Sequence, residues 1–234
     1  TIEQSTVRAI GIEGYQAGGC IIAPENSWPS APSDAIIFGL KELPEDGTPL
    51  THCHIMFGHA YKGQPSGRVL LDRFKAGGGT LYDLEYLVDQ AGRRVAALGY
   101  WAGYAGAAVA LRCWIAQQRD EIAGPVGVFK SSDALLKNLQ EHMAQHNKTK
   151  LNALIIGALG RVGTGAADLL STLDIPVTKW DMAETASGGP FPQVFEHAIF
   201  LNCILVRPGT PVFVSESANT DARQLIVIGD IACD

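Results

Sequence analysis

The stretch Leu151-Asn152-Ala153-Leu154-Ile155-Ile156-Gly157-Ala158-Leu159-Gly160-Arg161-Val162-Gly163 decides the fold of this chain. An apolar run of strand length passes directly into glycines spaced GxxGxxG, and a helical pattern over 162–173 follows. Glycines let a backbone turn tightly and approach a pyrophosphate, while the helix start offers unpaired N–H groups and partial positive charge. The same glycines would also suit a strand-turn-helix in which they serve the turn alone. Further along, Pro176–Trp180, Ala198–Leu205 and Gln224–Ile228 read as second, third and fourth strands. Strand, helix, strand at this pitch predicts a parallel sheet with right-handed crossovers. Asp181 closes the second strand, near the roughly 20-residue interval at which an acid hydrogen-bonds the ribose of a dinucleotide. A carboxylate there repels a 2′-phosphate and favours NAD over NADP. Gly157, Gly160 and Asp181 are therefore candidate cofactor contacts, with Arg161 and Thr185 placed to reach phosphate or adenine.

The N-terminal half carries a second α/β pattern. Gly19–Pro24 and Ala35–Leu40 read as short buried strands and His54–Phe57 as a third. A helix is expected over Gly67–Phe74, a break at Gly77-Gly78-Gly79, and an ordered element over Thr80–Leu87 before the turn at Asp89–Gly92. Val95–Leu111 carries no charge, and its length approaches the ~20 residues that span a bilayer. Its Ala and Gly content and its central Tyr100, Trp101 and Tyr104 read instead as a buried helix with small faces for close packing. A polar stretch over Asn138–Lys150 is expected to hold a helix and linker. The chain thus divides into a catalytic or substrate domain over 1–94, a connecting helix over 95–118 and a nucleotide-binding domain over 119–234.

Composition narrows the chemistry. The chain has 234 residues, between one large domain and two small ones, and its 47% hydrophobic and 18% charged content is that of a globular protein. A net charge of −6, with no Lys/Arg cluster, argues against nucleic acid or an anionic membrane as partner. The five cysteines are scattered and odd in number, which fits a reducing cytoplasmic setting, and Thr1–Ser5 lacks the features of a signal peptide. His52, Cys53, His54 and His59 crowd together, yet no metal is expected. No second ligand pair follows at zinc spacing, and His52 and His54 are expected on opposite faces of their strand. Lys41 and His59 each follow an apolar strand, where open α/β sheets place functional groups. A desolvated Lys can act as a base near neutral pH, and a His exchanges protons there without any shift.

The segments GLKELP, FGHAYKGQ, GTLYDLE, GRRVAALGYWAGYAGAA, IIGALGRVGTGA and KWDMAETASGGPF together closely resemble the NAD-dependent, lysine-forming saccharopine dehydrogenases. More distantly, Lys-Glu-x-Pro followed by His is similar to alanine dehydrogenase and the transhydrogenase nucleotide-binding subunit. The resemblance covers nearly the whole chain, least well at Asp120–Lys148. It implies two Rossmann-like domains with parallel sheets and an active site in the cleft between them. It also implies oxidation of saccharopine by NAD, hydrolysis of the imine, and release of lysine and 2-oxoglutarate; the protein is expected to be a cytoplasmic monomer. In that pattern Lys41 matches the base for the substrate amine and a substrate contact, and His59 matches the proton shuttle. Glu42 and Glu85 match the acids that tune them. Lys62, Gln64, Arg94, Leu98 and Asp234 match substrate positions, Arg94 as a fork for a carboxylate. Arg93, Gly157, Gly160, Arg161, Asp181, Thr185, Leu205 and Ile231 match cofactor positions, the last two packing on the nucleotide.

The chain departs from this pattern in four places. The family's opening strand and helix, with their substrate-gripping Arg and Lys, have no match before Thr1, and the family continues past Asp230-Ile231-Ala232-Cys233-Asp234. A chain shortened at both ends is therefore expected. Leu98 stands where the family often has an aromatic residue, and Ala232 where it has Ser. Two alternatives remain open: a catalytically silent NAD-binding module of the family, or an alanine-dehydrogenase-like oxidoreductase acting on a primary amine. GRRVAALGYWAGYAGAA argues against the second.

Overall fold

In the computed structural model the described residues are 1–8, 10–39, 43–144, 151–206, 208–215 and 223–231. They fall into two compact units, Thr1–Ala97 and Leu98–Asp234. Lys41, Glu42 and Asp234 lie outside the described residues.

The second unit contains β6 (Ala153–Ile156), α5 (Arg161–Thr172), β7 (Val177–Trp180), α6 (Met182–Thr185), β8 (Ile199–Asn202) and β9 (Val227–Asp230); its N-terminal part holds α3 (Gly99–Gln117) and α4 (Ser132–Met143). The four strands pair in parallel in the order β7-β6-β8-β9. This arrangement follows from the apolar runs: every residue of β6 and β8 is buried, as strands covered on both faces must be. Ala153, Ile155, Ile199 and Leu201 belong to the cluster under α3, α4 and α5. Leu154, Ile156 and Phe200 face the opposite way, onto Phe191, Val194 and Leu225. The third and fourth strands are shorter than the apolar runs suggest, and β9 begins at Val227, three residues after the expected Gln224.

Glycine explains the charge-free stretch, most of which forms the start of α3. A Cβ on Gly103 of α3 would stand 1.8 Å from the Val162 carbonyl oxygen, and one on Gly165 of α5 1.9 Å from that of Tyr100. The two helices touch backbone to backbone through reciprocal glycines. That geometry accounts for small residues in the sequence without a bilayer. Among the described residues no helix is long and apolar enough to cross a membrane.

The first unit holds β1 (Ile2–Glu3), α1 (Ile12–Ala17), β2 (Ile22–Ala23), β3 (Ile36–Phe38), β4 (Cys53–Met56), α2 (Pro65–Gly77) and β5 (Thr80–Asp83). Strands β3, β4 and β5 form a parallel sheet in that order, and β1 pairs with β2 in a separate ribbon. The expected burial of the early strands does not hold: Ile36 is 63% and Phe38 76% exposed. The register puts Phe38, Ile55 and Tyr82 side by side on one face, and that face has no cover among the described residues. The other face carries His54 and Met56 beneath Phe74 of α2 and Trp28. The expectation that His52 and His54 point apart is also overturned. Side chains two residues apart on a strand share a face, and both rings pack around Trp28, 6.4 Å from each other.

Candidate functional site

In the first unit the functional groups gather where β4 and β5 end. The β5 strand runs out at Asp83 into a short 3-10 turn over Leu84–Tyr86, which presents Glu85. Beside it, the chain leaving β4 turns through Gly58-His59-Ala60, with His59 at φ +48°. Glu85 is only 10% exposed, and the basic side chains of Lys62, Arg94 and His59 converge on it. Lys62 Nζ lies 3.1 Å from its Oε1, Arg94 Nη2 donates to its Oε2 at 2.8 Å, and His59 Nδ1 stands 3.8 Å from Oε2. Four of the residues singled out in the sequence thus meet around one carboxylate. The Lys62 and Arg94 charges offset that of the carboxylate, and His59 adds to them only when protonated.

Other expected residues of this unit stand apart. Gln64 is the exposed N-cap of α2, with no side-chain cap bond. Arg93 donates to Asp89 Oδ2 at 3.0 Å across the turn 89–93, the surface ion pair of a hairpin. Arg73, not anticipated from sequence, is buried and donates to the Thr48 and Pro44 carbonyls at 2.8 and 2.7 Å and to Asp46 at 3.0 Å. It thereby ties down the segment that follows the Lys41 motif. Asp46, which also accepts the Thr48 N–H, has its carboxyl held below the usual range by that bond first and by the Arg73 charge less strongly. Asp83, also not anticipated from sequence, accepts the N–H groups of Gly58 and Ala60 at 3.1 Å and of Glu85 at 3.0 Å.

His54 is a core residue of the first unit. It is 1% exposed, its Nε2 has no hydrogen-bond partner, and the rings of Trp28 and Phe74 stand edge-on to it at 5.2 and 5.3 Å. Burial pushes its pKa down to about 4, helped by the neighbouring His52 and Arg73.

In the second unit the glycine loop connects β6 to α5 at the position where the sheet's connections diverge, to β7 on one side and β8 on the other. Gly157 has φ +83°, and a Cβ there would lie 2.3 Å from Ile204 Cγ2. A Cβ on Gly163 would lie 2.1 Å from the Gly157 carbonyl oxygen. These two glycines are required by the fold itself. Gly160 differs: a Cβ would find nothing nearer than 3.4 Å, so packing does not demand glycine there. As the N-cap of α5 it has no side chain to cover the helix end, which leaves room for a phosphate against the first N–H groups. Asp181 follows β7, caps α6 in a capping box with Glu184, and accepts the Leu159 N–H at 3.0 Å. The acid therefore holds the tip of the glycine loop. Thr185 donates its hydroxyl to the Asp181 carbonyl at 2.8 Å.

Arg161 is exposed at the start of α5, Leu205 is half exposed just beyond β8, and Leu98 is the exposed N-cap residue of α3. Ile231, expected to pack on a nucleotide, is partly buried beside the core cluster. Its side chain lies against α3, where a Cβ on Gly106 would come within 2.8 Å of it. Asn202, also unanticipated, ends β8 with its amide donating to Asp230 at 3.0 Å and to the Ile204 carbonyl at 3.3 Å, which fixes the chain leaving the strand. Beside it the Cys203 thiol is pushed up to about 12, by burial first and by Asp230 second, and so stays protonated and unreactive.

A parallel sheet with this glycine turn in its first crossover and an acid after its second strand defines the dinucleotide-binding class of α/β fold. The model of the alanine dehydrogenase/PNT N-terminal domain matches residues 1–105. The saccharopine dehydrogenase [NAD(+), L-lysine-forming] of Schizosaccharomyces pombe is 44% identical over 245 aligned residues, covering 100% of this chain and 67% of the relative. That of Candida albicans is 42% identical, covering 100% and 66%. The chain belongs to the lysine-forming saccharopine dehydrogenase family and spans about two thirds of its curated relatives' length. The rat mitochondrial alpha-aminoadipic semialdehyde synthase is 32% identical over 105 residues, 45% of this chain and 11% of its own. A solved L-alanine dehydrogenase is loosely similar, with a TM-score of 0.46 and 17% identity over 95% of this chain and 62% of its own.

Proposed function

We propose that this chain carries out NAD-dependent oxidation of saccharopine to lysine and 2-oxoglutarate. The observation that supports this most is the convergence of His59, Lys62 and Arg94 on the nearly buried Glu85. NAD, when bound, supplies the hydride acceptor. Gly157, Gly160 and Arg161 would hold its phosphates at the start of α5, Asp181 its ribose hydroxyls, and Thr185 and Leu205 would border it. The fit rests on the two glycines that the fold requires and on the uncovered helix end at the third.

The remaining chemistry belongs to side chains. A secondary ammonium must lose its proton before the adjacent carbon can lose hydride, and Lys41 is the base proposed for that transfer, with Glu42 tuning it. Water then adds to the substrate imine. His59 takes the proton from that water and returns it to the departing amine, so that the carbinolamine collapses to lysine and 2-oxoglutarate. Glu85 stabilises the imidazolium formed on the way and offsets the charges of Lys62 and Arg94, which with Gln64 orient the substrate carboxylates. Overall one water is consumed and one proton released beside the reduced cofactor.

Steady-state formation of NADH with saccharopine tests the proposal. Turnover with equimolar lysine is expected, and Lys41→Met is expected to lower kcat by about 100-fold or more, with NAD affinity by calorimetry within about twofold. A protein that binds NAD yet turns over neither saccharopine nor alanine would overturn the reading.

A further inference from the structure

We propose that Asp83 is a positioning residue that sets His59 and Glu85 in register with each other, an inference that rests on the catalytic role given to His59 above. Asp83 ends β5 directly opposite Met56, the last residue of β4. Its carboxylate receives three backbone N–H groups. Oδ1 accepts from Gly58 at 3.1 Å and from Glu85 at 3.0 Å, and Oδ2 accepts from Ala60 at 3.1 Å. The residues on either side of His59 and the amide of Glu85 itself are thus fixed by one side chain.

Two features make this attachment consequential. His59 sits at φ +48°, a conformation that L-residues with side chains adopt at a cost of about 1 kcal/mol or more, so its flanking bonds must hold it there. The His59–Glu85 separation of 3.8 Å lies just beyond hydrogen-bond reach, so a shift of a fraction of an ångström decides whether imidazole and carboxylate pair. The chemistry of the residue is also specific. Three converging N–H donors need a group that only accepts, and a carboxylate is such a group whereas an amide is not. Bonds to an ionised acceptor are also the stronger kind.

A double-mutant cycle with His59 tests this. His59→Ala is expected to lower kcat by about 100-fold. Asp83→Ala is expected to lower it by about 30-fold, with the saccharopine KM within about threefold and NAD affinity unchanged. In the His59→Ala background the same change should cost less than about threefold, because the group it positions is gone. Hydrogen exchange offers a readout independent of turnover: the amides of Gly58, Ala60 and Glu85 should lose protection together in Asp83→Ala. If that variant fails to fold, Asp83→Asn serves. It keeps the shape but turns a donor toward the Ala60 amide, and an approximately tenfold loss in kcat is expected, again only when His59 is present. Losses that multiply in the double variant, or an Asp83→Ala protein with the wild-type rate, would overturn the role of Asp83 alone. A His59→Ala protein with the wild-type rate would remove both this inference and the proposed shuttle.

Discussion

The two units present their functional groups in opposite ways. In the second, every residue of β6 and β8 is buried, and the site is built from backbone and absent side chains: Gly157, Gly163 and the open end of α5. In the first, the sheet is covered on one face only among the described residues. Its site is a set of charges, Glu85 with Lys62, Arg94 and His59, and polar groups reach into its interior as His52, His54 and Arg73. The difference matches the two tasks proposed for them. Holding phosphates calls for a fixed concave backbone that side chains would obstruct, whereas proton transfer calls for titratable groups whose charges are balanced against one another. The second unit should therefore be sensitive to added atoms, and the first to changes of charge and protonation.

The most severe break of that comparison is Gly163→Val. The added side chain would collide with the Gly157 carbonyl, and a loss of about 4 kcal/mol or more is expected, with NAD binding abolished. Denaturant unfolding and calorimetry would measure both. In the first unit the largest effect is a dependence on pH. His54 has a folded-state pKa of about 4 against an unfolded value of ~6.5, so the unfolded chain takes up its proton first. Stability present above pH ~6.5 should decline as the pH falls through that window, by about 3 kcal/mol in all, and His54→Leu should flatten this slope. Unfolding followed by Trp28 fluorescence at several pH values reads it. Arg73→Met leaves the Pro44 and Thr48 carbonyls without their buried donor and should cost about 2 kcal/mol in the same assay. Smallest of all, Phe38→Ser on the uncovered face should change stability by less than about 0.5 kcal/mol. A cost several times larger would mean that this face is buried in the protein.

What could be read from the sequence follows the same division. The glycine loop was legible because two of its reasons are local, the positive φ at Gly157 and the close approach of Gly163 to Gly157, whereas the contact of Gly157 with Ile204 comes from a distant strand end. The charge-free helix was legible as a buried one, but its partner was not, since the fit of Gly103 and Gly165 depends on two helices crossing. In the first unit His59 was identifiable from its place after an apolar strand, and Lys62, Glu85 and Arg94 through family resemblance. Their meeting was not readable, because the parallel pairing of β4 with β5 brings Met56 beside Asp83 from distant points in the chain. Asp83 and Arg73 escaped notice for a related reason: both act on backbone groups, which leave no pattern in side-chain spacing. Contact of Ile231 with α3 was likewise not readable, because an apolar residue after a strand serves a helix as readily as a nucleotide.

The central claim is that Glu85 organises the catalytic charges of the first unit. Steady-state saccharopine oxidation by Glu85→Gln, an isosteric change that removes the charge and turns one acceptor into a donor, tests it most directly. The account predicts a fall in kcat of about tenfold or more and an altered pH profile, with NAD affinity as in the wild type. An unchanged kcat across the pH range would contradict it.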